Sequence, residues 1–268
     1  MAIIPKPFMD AVVSLGVRNS QQQISWIGTG FFVGRKVGNN GNVRPYLITN
    51  KHVVERKDQL FFRMKEQSGS LKVVSCPIEN KDGSTSVLYH QNPNIDIAVI
   101  ALDAKIINDN NLLFPSFDID TAAMDSKELR ENGVDEGTLI HMLGFPMRLV
   151  NVDSGLPICR LGCIARMSEA QIEENHNILV DIQNFPGNSG SPVVIRPEQI
   201  SIEGTKALDR CVLAGIIHSY ISYEKSFVNS QTGKKVEIRS ENSGLALMHP
   251  VEYIREIIDR VQPQNKCD

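Results

Sequence analysis

Short runs of β-branched and aromatic residues recur along the whole chain, each closed by Gly, Asn, Asp or Pro. Examples are Ile24–Val33, Tyr46–Val54, Leu71–Cys76, Ile95–Leu102, Thr138–Leu143, Ile178–Ile182, Pro192–Ile195 and Cys211–Ile217. Apolar runs of this length between turn formers predict strands, so the expected class is all-β. No motif recurs at a fixed period, which argues against a solenoid or propeller. Only two segments read as helical. Ala122–Glu131 is short and polar. In Val251–Val261 the residues Val251, Ile254, Ile257, Ile258 and Val261 share one face, and Pro250 suits the first helical position. The acidic stretch Asn108–Gly137 reads as a connector between two β-rich halves. Hairpin tips are expected at Asn39–Asn42, Lys81–Ser84 and Asn229–Lys235, long loops at Gln67–Val73 and Ser219–Ser243, and a frayed tail after Val261.

Charge and composition remove several function classes. The chain has 268 residues, with Lys+Arg 28 against Asp+Glu 31, a net charge of −3. That near-balance leaves no broad basic surface for nucleic acid. No apolar run approaches the roughly 18 residues that a membrane-spanning helix needs. The start, Met1-Ala-Ile-Ile-Pro-Lys-Pro-Phe8, lacks the basic, apolar and small-residue order of a signal peptide. Cys76, Cys159, Cys163, Cys211 and Cys267 are odd in number and scattered, so a reducing cytoplasm is expected rather than a disulfide framework. Cys159 and Cys163 lack zinc-site spacing; on a strand both would face one side as small core residues. Gly28-Thr-Gly-Phe-Phe-Val-Gly34 misses the third glycine of a dinucleotide loop by one place. Neither a P-loop nor an HExxH helix is present, and no cofactor or metal is expected.

Three segments carry residues suited to nucleophilic chemistry. His52 lies in Tyr46-Leu-Ile-Thr-Asn-Lys-His-Val-Val54, Asp96 in Asn94-Ile-Asp-Ile-Ala-Val-Ile100, and Ser189 in Phe185-Pro-Gly-Asn-Ser-Gly-Ser-Pro-Val-Val194. Each alone has an ordinary structural reading: a core histidine, a strand-end or edge carboxylate, a turn between strands. Together they have a chemical logic. A serine hydroxyl needs a positioned base near neutral pH. Imidazole suits that task, and a buried carboxylate fixes its tautomer. Glycines flanking Ser189 allow a tight turn whose successive N–H groups point into one concavity.

These segments, in the order His52, Asp96, Ser189, resemble the chymotrypsin-like serine peptidases, in particular the bacterial trypsin-like group that includes the HtrA proteases. Gly28-Thr-Gly-Phe-Phe-Val33 is similar to the family's GTGF strand, and Leu47–Val54 to its LTNxHVV motif. Asp96-Ile-Ala-Val-Ile100 resembles the acid strand, and Gly187-Asn-Ser-Gly-Ser-Pro192 the nucleophile motif. Ser243-Gly-Leu-Ala-Leu-Met248 resembles a late strand in which Met248 replaces the usual proline. Gly144-Phe-Pro146 and Gly162-Cys-Ile-Ala165 are softer echoes.

The resemblance implies two six-stranded antiparallel β-barrels with a C-terminal α-helix. Residues 1–120 would form the barrel carrying His52 and Asp96; residues 121–268 would supply the connector, the barrel carrying Ser189 and the helix. It implies catalytic residues His52, Asp96 and Ser189, and an oxyanion hole at Gly187, Asn188 and Ser189 lined by the N–H groups of Gly187 and Ser189. The S1 pocket would draw on Gln183, Ile217, His218, Ser219, Gly244 and Ala246. With no acid there, a small or medium uncharged P1 residue is expected. Relatives reading acidic or Gln P1 carry a His within G-x-H; here Gly215-x-x-His218 is one residue longer, and a one-residue slip reverses a strand's face. His218 is thus either a pocket reader or a structural residue. Asn188 stands where trypsin-type zymogens carry the acid that pairs with a new N-terminus, so no proteolytic maturation is expected. Past Pro250 there is no length for the PDZ domains of HtrA enzymes. The implied partner is a protein or peptide substrate, with selection left to the long loops or to a separate regulatory protein. The competing expectation is a peptidase-fold binding or scaffold module with an inactive or partner-gated triad.

Overall fold

The computed structural model describes residues 4–38, 41–78, 85–151, 153–198, 206–228, 231–232 and 235–262. Cys267, the tip residues 81–84 and parts of the tips at 39–42 and 229–235 lie outside the described residues. In the first half the strands are β1 (Val12–Arg18), β2 (Ile24–Val37), β3 (Asn42–Thr49), β4 (Gln59–Lys65), β5 (Leu71–Pro77), β6 (Val87–Tyr89), β7 (Ala98–Ala101) and β8 (Phe117–Asp118). They form one sheet in the order β5-β4-β1-β2-β3-β7-β6, and β8 pairs in parallel with β2. The second half contributes β9 (Leu139–Gly144), β10 (Ile158–Arg166), β11 (Ile178–Asp181), β12 (Pro192–Ile195), β13 (Val212–Val228) and β14 (Lys235–Pro250). These close into a barrel in the order β10-β11-β14-β13-β12-β9.

The expectation of two six-stranded barrels therefore holds for the second half. The first half is an eight-stranded sheet whose end strands β5 and β6 are not paired in the strand order. Near those ends Ser86 N–H donates to the Ile78 carbonyl at 3.2 Å. The sheet still curls around apolar side chains from almost every strand, among them Leu15, Phe32, Leu47, Phe62, Val74, Val87 and Ile100. A second cluster, with Met142, Ile164, Val180, Val193, Ala214 and Met248, fills the barrel. A third joins the halves: Phe31, Tyr46 and Ile97 meet Leu143, Val194, Ile216 and Ile254. Burial of this seam fixes how the two halves present their loops to one another.

Short helices depart from the expectation of only two. They are α1 (Lys6–Asp10), α2 (Lys51–Val54), α3 (Ala104–Asp109), α4 (Ser126–Glu131), α5 (Glu169–Asn175) and α6 (Glu252–Asp259). Asp125 and Glu128 form a capping box at α4, within the acidic connector. Ser168 caps α5, which ends at His176 in the left-handed region with φ 59°. The predicted C-terminal helix starts later than expected. Pro250 closes β14 opposite Gly215, and Val251 is the N-cap of α6. The stretch Ser219–Ser243, read as a loop, is mostly a two-stranded ribbon of β13 and β14. Gln67–Val73, also read as a loop, is a tight turn at Glu66–Ser70 leading into β5. Cys159 and Cys163 do lie on β10, but Cys159 is exposed and Cys163 half-buried, not core. Strand β10 pairs with β9 and β11 without burying its outer face there.

Candidate active site

The strand β3 stops where its side chains turn polar. Thr49 Oγ1 donates to the Thr29 carbonyl at 2.7 Å, and Asn50 Nδ2 donates to the Asp96 carbonyl at 2.8 Å. One turn of helix follows, α2, with Val53 N–H bonded to the Asn50 carbonyl at 3.2 Å. Val53 and Val54 face the core while the His52 side chain stays 49% exposed. Asp96 comes from the irregular segment before β7. Its Oδ1 accepts the His52 backbone N–H at 3.0 Å, and its Oδ2 lies 2.5 Å from His52 Nδ1. Burial pushes the Asp96 carboxyl up, but the hydrogen bonds and charge of His52 outweigh that and hold it below its ordinary value. The carboxylate is thus kept ionised against the imidazole.

Ser189 sits between two turns. Asn188 N–H bonds to the Phe185 carbonyl at 3.0 Å, with Pro186 second and Gly187 third at φ +102°. Ser191 N–H bonds to the Asn188 carbonyl at 2.9 Å, with Gly190 third at φ +89°. Pro second and a positive-φ Gly third is the pattern of a type II turn. This geometry leaves the N–H groups of Gly187 and Ser189 with no hydrogen-bond partner among the described residues. Two unpaired N–H donors, two residues apart and flanking a half-exposed serine, are groups of the kind that can hold an oxyanion.

The Ser189 turn is pinned from beneath by Thr29. Its buried hydroxyl donates to the Gly187 carbonyl at 2.7 Å and accepts from Phe145 N–H at 3.2 Å. A Cβ at Gly187 would overlap the Phe145 carbonyl oxygen, and one at Gly190 the Thr29 carbonyl oxygen. Thr29 N–H donates to the Ser189 carbonyl at 2.9 Å. At Gly28 the empty Cβ position is 3.1 Å from Val53 Cγ1 and 3.3 Å from the Ser189 carbonyl oxygen. The turn carrying Ser189 and the helix carrying His52 therefore converge on one glycine. Ser189 Oγ itself makes no hydrogen bond among the described residues.

A trypsin-like peptidase domain model matches residues 28–199, well over half of the chain. The chain belongs to that family. Among solved structures, this peptidase domain is similar to the MamO protease domain from Magnetospirillum magneticum. The identity is 15%, over 94% of this chain and 97% of that one, with a TM-score of 0.50. It is also similar to HL collagenase, at 14% identity over 97% of this chain and 96% of that one, with a TM-score of 0.51. Identities this low speak for a shared fold alone. No curated protein matches the chain in sequence. No helix among the described residues is long and apolar enough to cross a membrane, which leaves strand-built membrane proteins unaddressed.

The pocket residues expected from sequence separate in the peptidase domain. Gln183 Nε2 lies 3.3 Å from the Cβ position of Gly244, and Asn184 Nδ2 donates to the Ser219 carbonyl at 3.2 Å. Ile217 and Ala246 are instead fully buried in the barrel core. The β13–β14 register shifts between Ile217 and Ser219, leaving His218 as the extra residue of a bulge. Its ring stacks on His249 at 4.0 Å, and its Nε2 lies 2.7 Å from Asn177 Oδ1. Asn188 is buried with both side-chain polar atoms unpartnered, as is Ser191 Oγ. Sequence reading assigned no task to Thr29 or His249. Thr29 was visible only as the middle of Gly28-Thr-Gly30, and His249 had no signal beyond its place before Pro250.

Proposed function

We propose that this domain is a serine endopeptidase working through an acyl-enzyme. Ser189 Oγ attacks the scissile carbonyl, His52 takes the proton and later returns it to the leaving amine, and Asp96 orients His52. The N–H groups of Gly187 and Ser189 hold the developing oxyanion. What supports this reading is the His52–Asp96 pair at 2.5 Å together with the Ser189 turn, which approaches Gly28 alongside α2 and whose Gly187 and Ser189 N–H groups have no partner among the described residues. Each such donor is typically worth about 3 kcal/mol in the transition state. By the family pattern Gln183, Ser219 and Gly244 would line the S1 pocket, and none of them is an acid, which favours a small or medium uncharged P1 residue. Asn188 carries no charge to pair with a liberated N-terminus, so activity requires no proteolytic maturation.

The test is hydrolysis of peptide libraries varied at P1 as Val, Gln, Glu or Arg. The expected result is preferential cleavage after Val, abolished in Ser189→Ala while the fold persists. Unchanged turnover in Ser189→Ala would refute the assignment. One observation favours a second reading, a partner-gated triad: Ser189 Oγ makes no hydrogen bond to His52. Under that reading hydrolysis appears only with an added protein partner, whereas apo hydrogen bonds of active enzymes are often long without any gate.

A further inference from the structure

Next to Asp96 lies a group of histidines that the proposed mechanism does not use. His249 on β14 is fully buried. Its Nε2 is 3.0 Å from the backbone N of Asp96, and its Nδ1 is 2.7 Å from the His176 carbonyl oxygen. A carbonyl can only accept and a backbone N–H can only donate. The ring is therefore neutral, with its proton on Nδ1 and its lone pair aimed at Asp96 N–H. The stacked His218 ring lies against one face at 4.0 Å and 10° between planes, and Tyr253 meets it edge-on at 6.2 Å.

The bond spans the two halves of the molecule. Asp96 sits in a segment with no strand hydrogen bonds of its own between His90 and Ile97. Its carbonyl is held by Asn50 from the first half, and its N–H by His249 from the barrel. The same segment is caught a second time, where Asn92 Nδ2 donates to His176 Nε2 at 2.7 Å. His176 Nδ1 then faces Tyr253 Oη at 3.2 Å.

We propose that His249 is a positioning residue for the acid of the triad, its Nε2 lone pair locking the Asp96 backbone so that the carboxylate meets His52 Nδ1. The proposal rests on the peptidase reading above. A proton added at Nε2 would set donor against donor and release Asp96. The groups facing His249 are Asp96, whose charge favours that proton, and His218, His176 and His90, which disfavour a second positive charge. His90 is itself paired with Glu256 at 2.8 Å. Burial comes first among the causes and holds His249 down to about 4, so the ring is neutral at neutral pH.

The test compares His249→Leu, which removes the acceptor, with His249→Gln, whose amide oxygen can restore it. For His249→Leu we expect kcat to fall about tenfold to a hundredfold through misplacement of the acid, with KM nearly unchanged. His249→Gln should recover most of the loss. Nitrogen NMR of the intact Ser189→Ala domain supplies a readout independent of turnover: His249 should carry its proton on Nδ1 at neutral pH. The low-field proton of the His52–Asp96 bond should weaken in His249→Leu. An Nε2-protonated His249 at neutral pH overturns the proposal, even if His249→Leu does not fold. So does a folded His249→Leu with normal kcat. Wild-type protein that neither hydrolyses peptides nor reacts with a serine-directed probe defeats the peptidase reading instead, and the NMR result still decides what His249 holds.

Discussion

Replacing Thr29 by valine probes the support of the oxyanion turn with almost no change in side-chain volume. The hydroxyl donates to the Gly187 carbonyl at 2.7 Å and accepts from Phe145 N–H at 3.2 Å, and Thr29 is fully buried. Valine would strand both backbone groups away from water. A buried group left without its partner costs about 1–3 kcal/mol, so Thr29→Val should lose about 2–6 kcal/mol of stability. Against a total of about 5–15 kcal/mol for a typical protein, that is visible as a lower urea midpoint. A second effect should appear in turnover. With its carbonyl released, the Phe185–Asn188 turn can swivel, moving the Gly187 N–H off the oxyanion position. Losing one such donor lowers kcat by about 10²–10³-fold. Thr29→Ser keeps the hydroxyl and should restore both quantities. The assays are urea unfolding and steady-state peptide hydrolysis in parallel. A Thr29→Val protein with wild-type midpoint and wild-type kcat would show that the buckle between Phe145 and Gly187 does not matter.

Gly187→Ala places a Cβ against the Phe145 carbonyl oxygen at a φ of +102°, so the turn must rearrange. Peptide hydrolysis should drop about a hundredfold while circular dichroism stays native, and undiminished hydrolysis would contradict the turn geometry. Acid should weaken the fold in a defined window. Burial lowers His249 to about 4 and His218 to about 3, both below the ordinary value near 6.5. Between those values the unfolded chain binds more protons, so stability declines as pH falls from about 6.5 to about 4. Asp96, held below its ordinary value, contributes stability above about 4 that is lost at still lower pH. Urea midpoints measured from pH 7 to pH 4 should fall steadily, and a flat profile would mean these groups are not buried as described.

Much of the β framework was legible because its signal is local. Pro192–Ile195 is the strand the sequence predicts, Ile178–Ile182 ends one residue early at Asp181, and Thr138–Leu143 is displaced by a single residue. Tyr46–Val54 misled for a physical reason. Val53 and Val54 favour strands, yet Thr49 and Asn50 spend their side chains on Thr29 and Asp96, which are distant in sequence, and α2 begins there. Ser219–Ser243 read as a loop because it is rich in polar and charged residues, and Tyr220, Ile221 and Tyr223 on its ribbon are exposed rather than buried. The chemistry-bearing residues were legible as a set of motifs in order. Their support was not, since Thr29–Phe145 and His249–Asp96 join positions separated by 116 and 153 residues. The pocket suffered from one inserted residue: the bulge at His218 turns its ring onto His249, while Ile217 and Ala246 fill the barrel.

The most direct measurement is covalent labelling of the full chain with a fluorophosphonate, followed by intact mass and peptide mapping. The account predicts a single adduct on Ser189, formed rapidly in the wild type and lost in His52→Ala, since only an activated hydroxyl attacks the phosphorus. An unlabelled wild type, or label that persists on Ser189 without the imidazole, would contradict the triad.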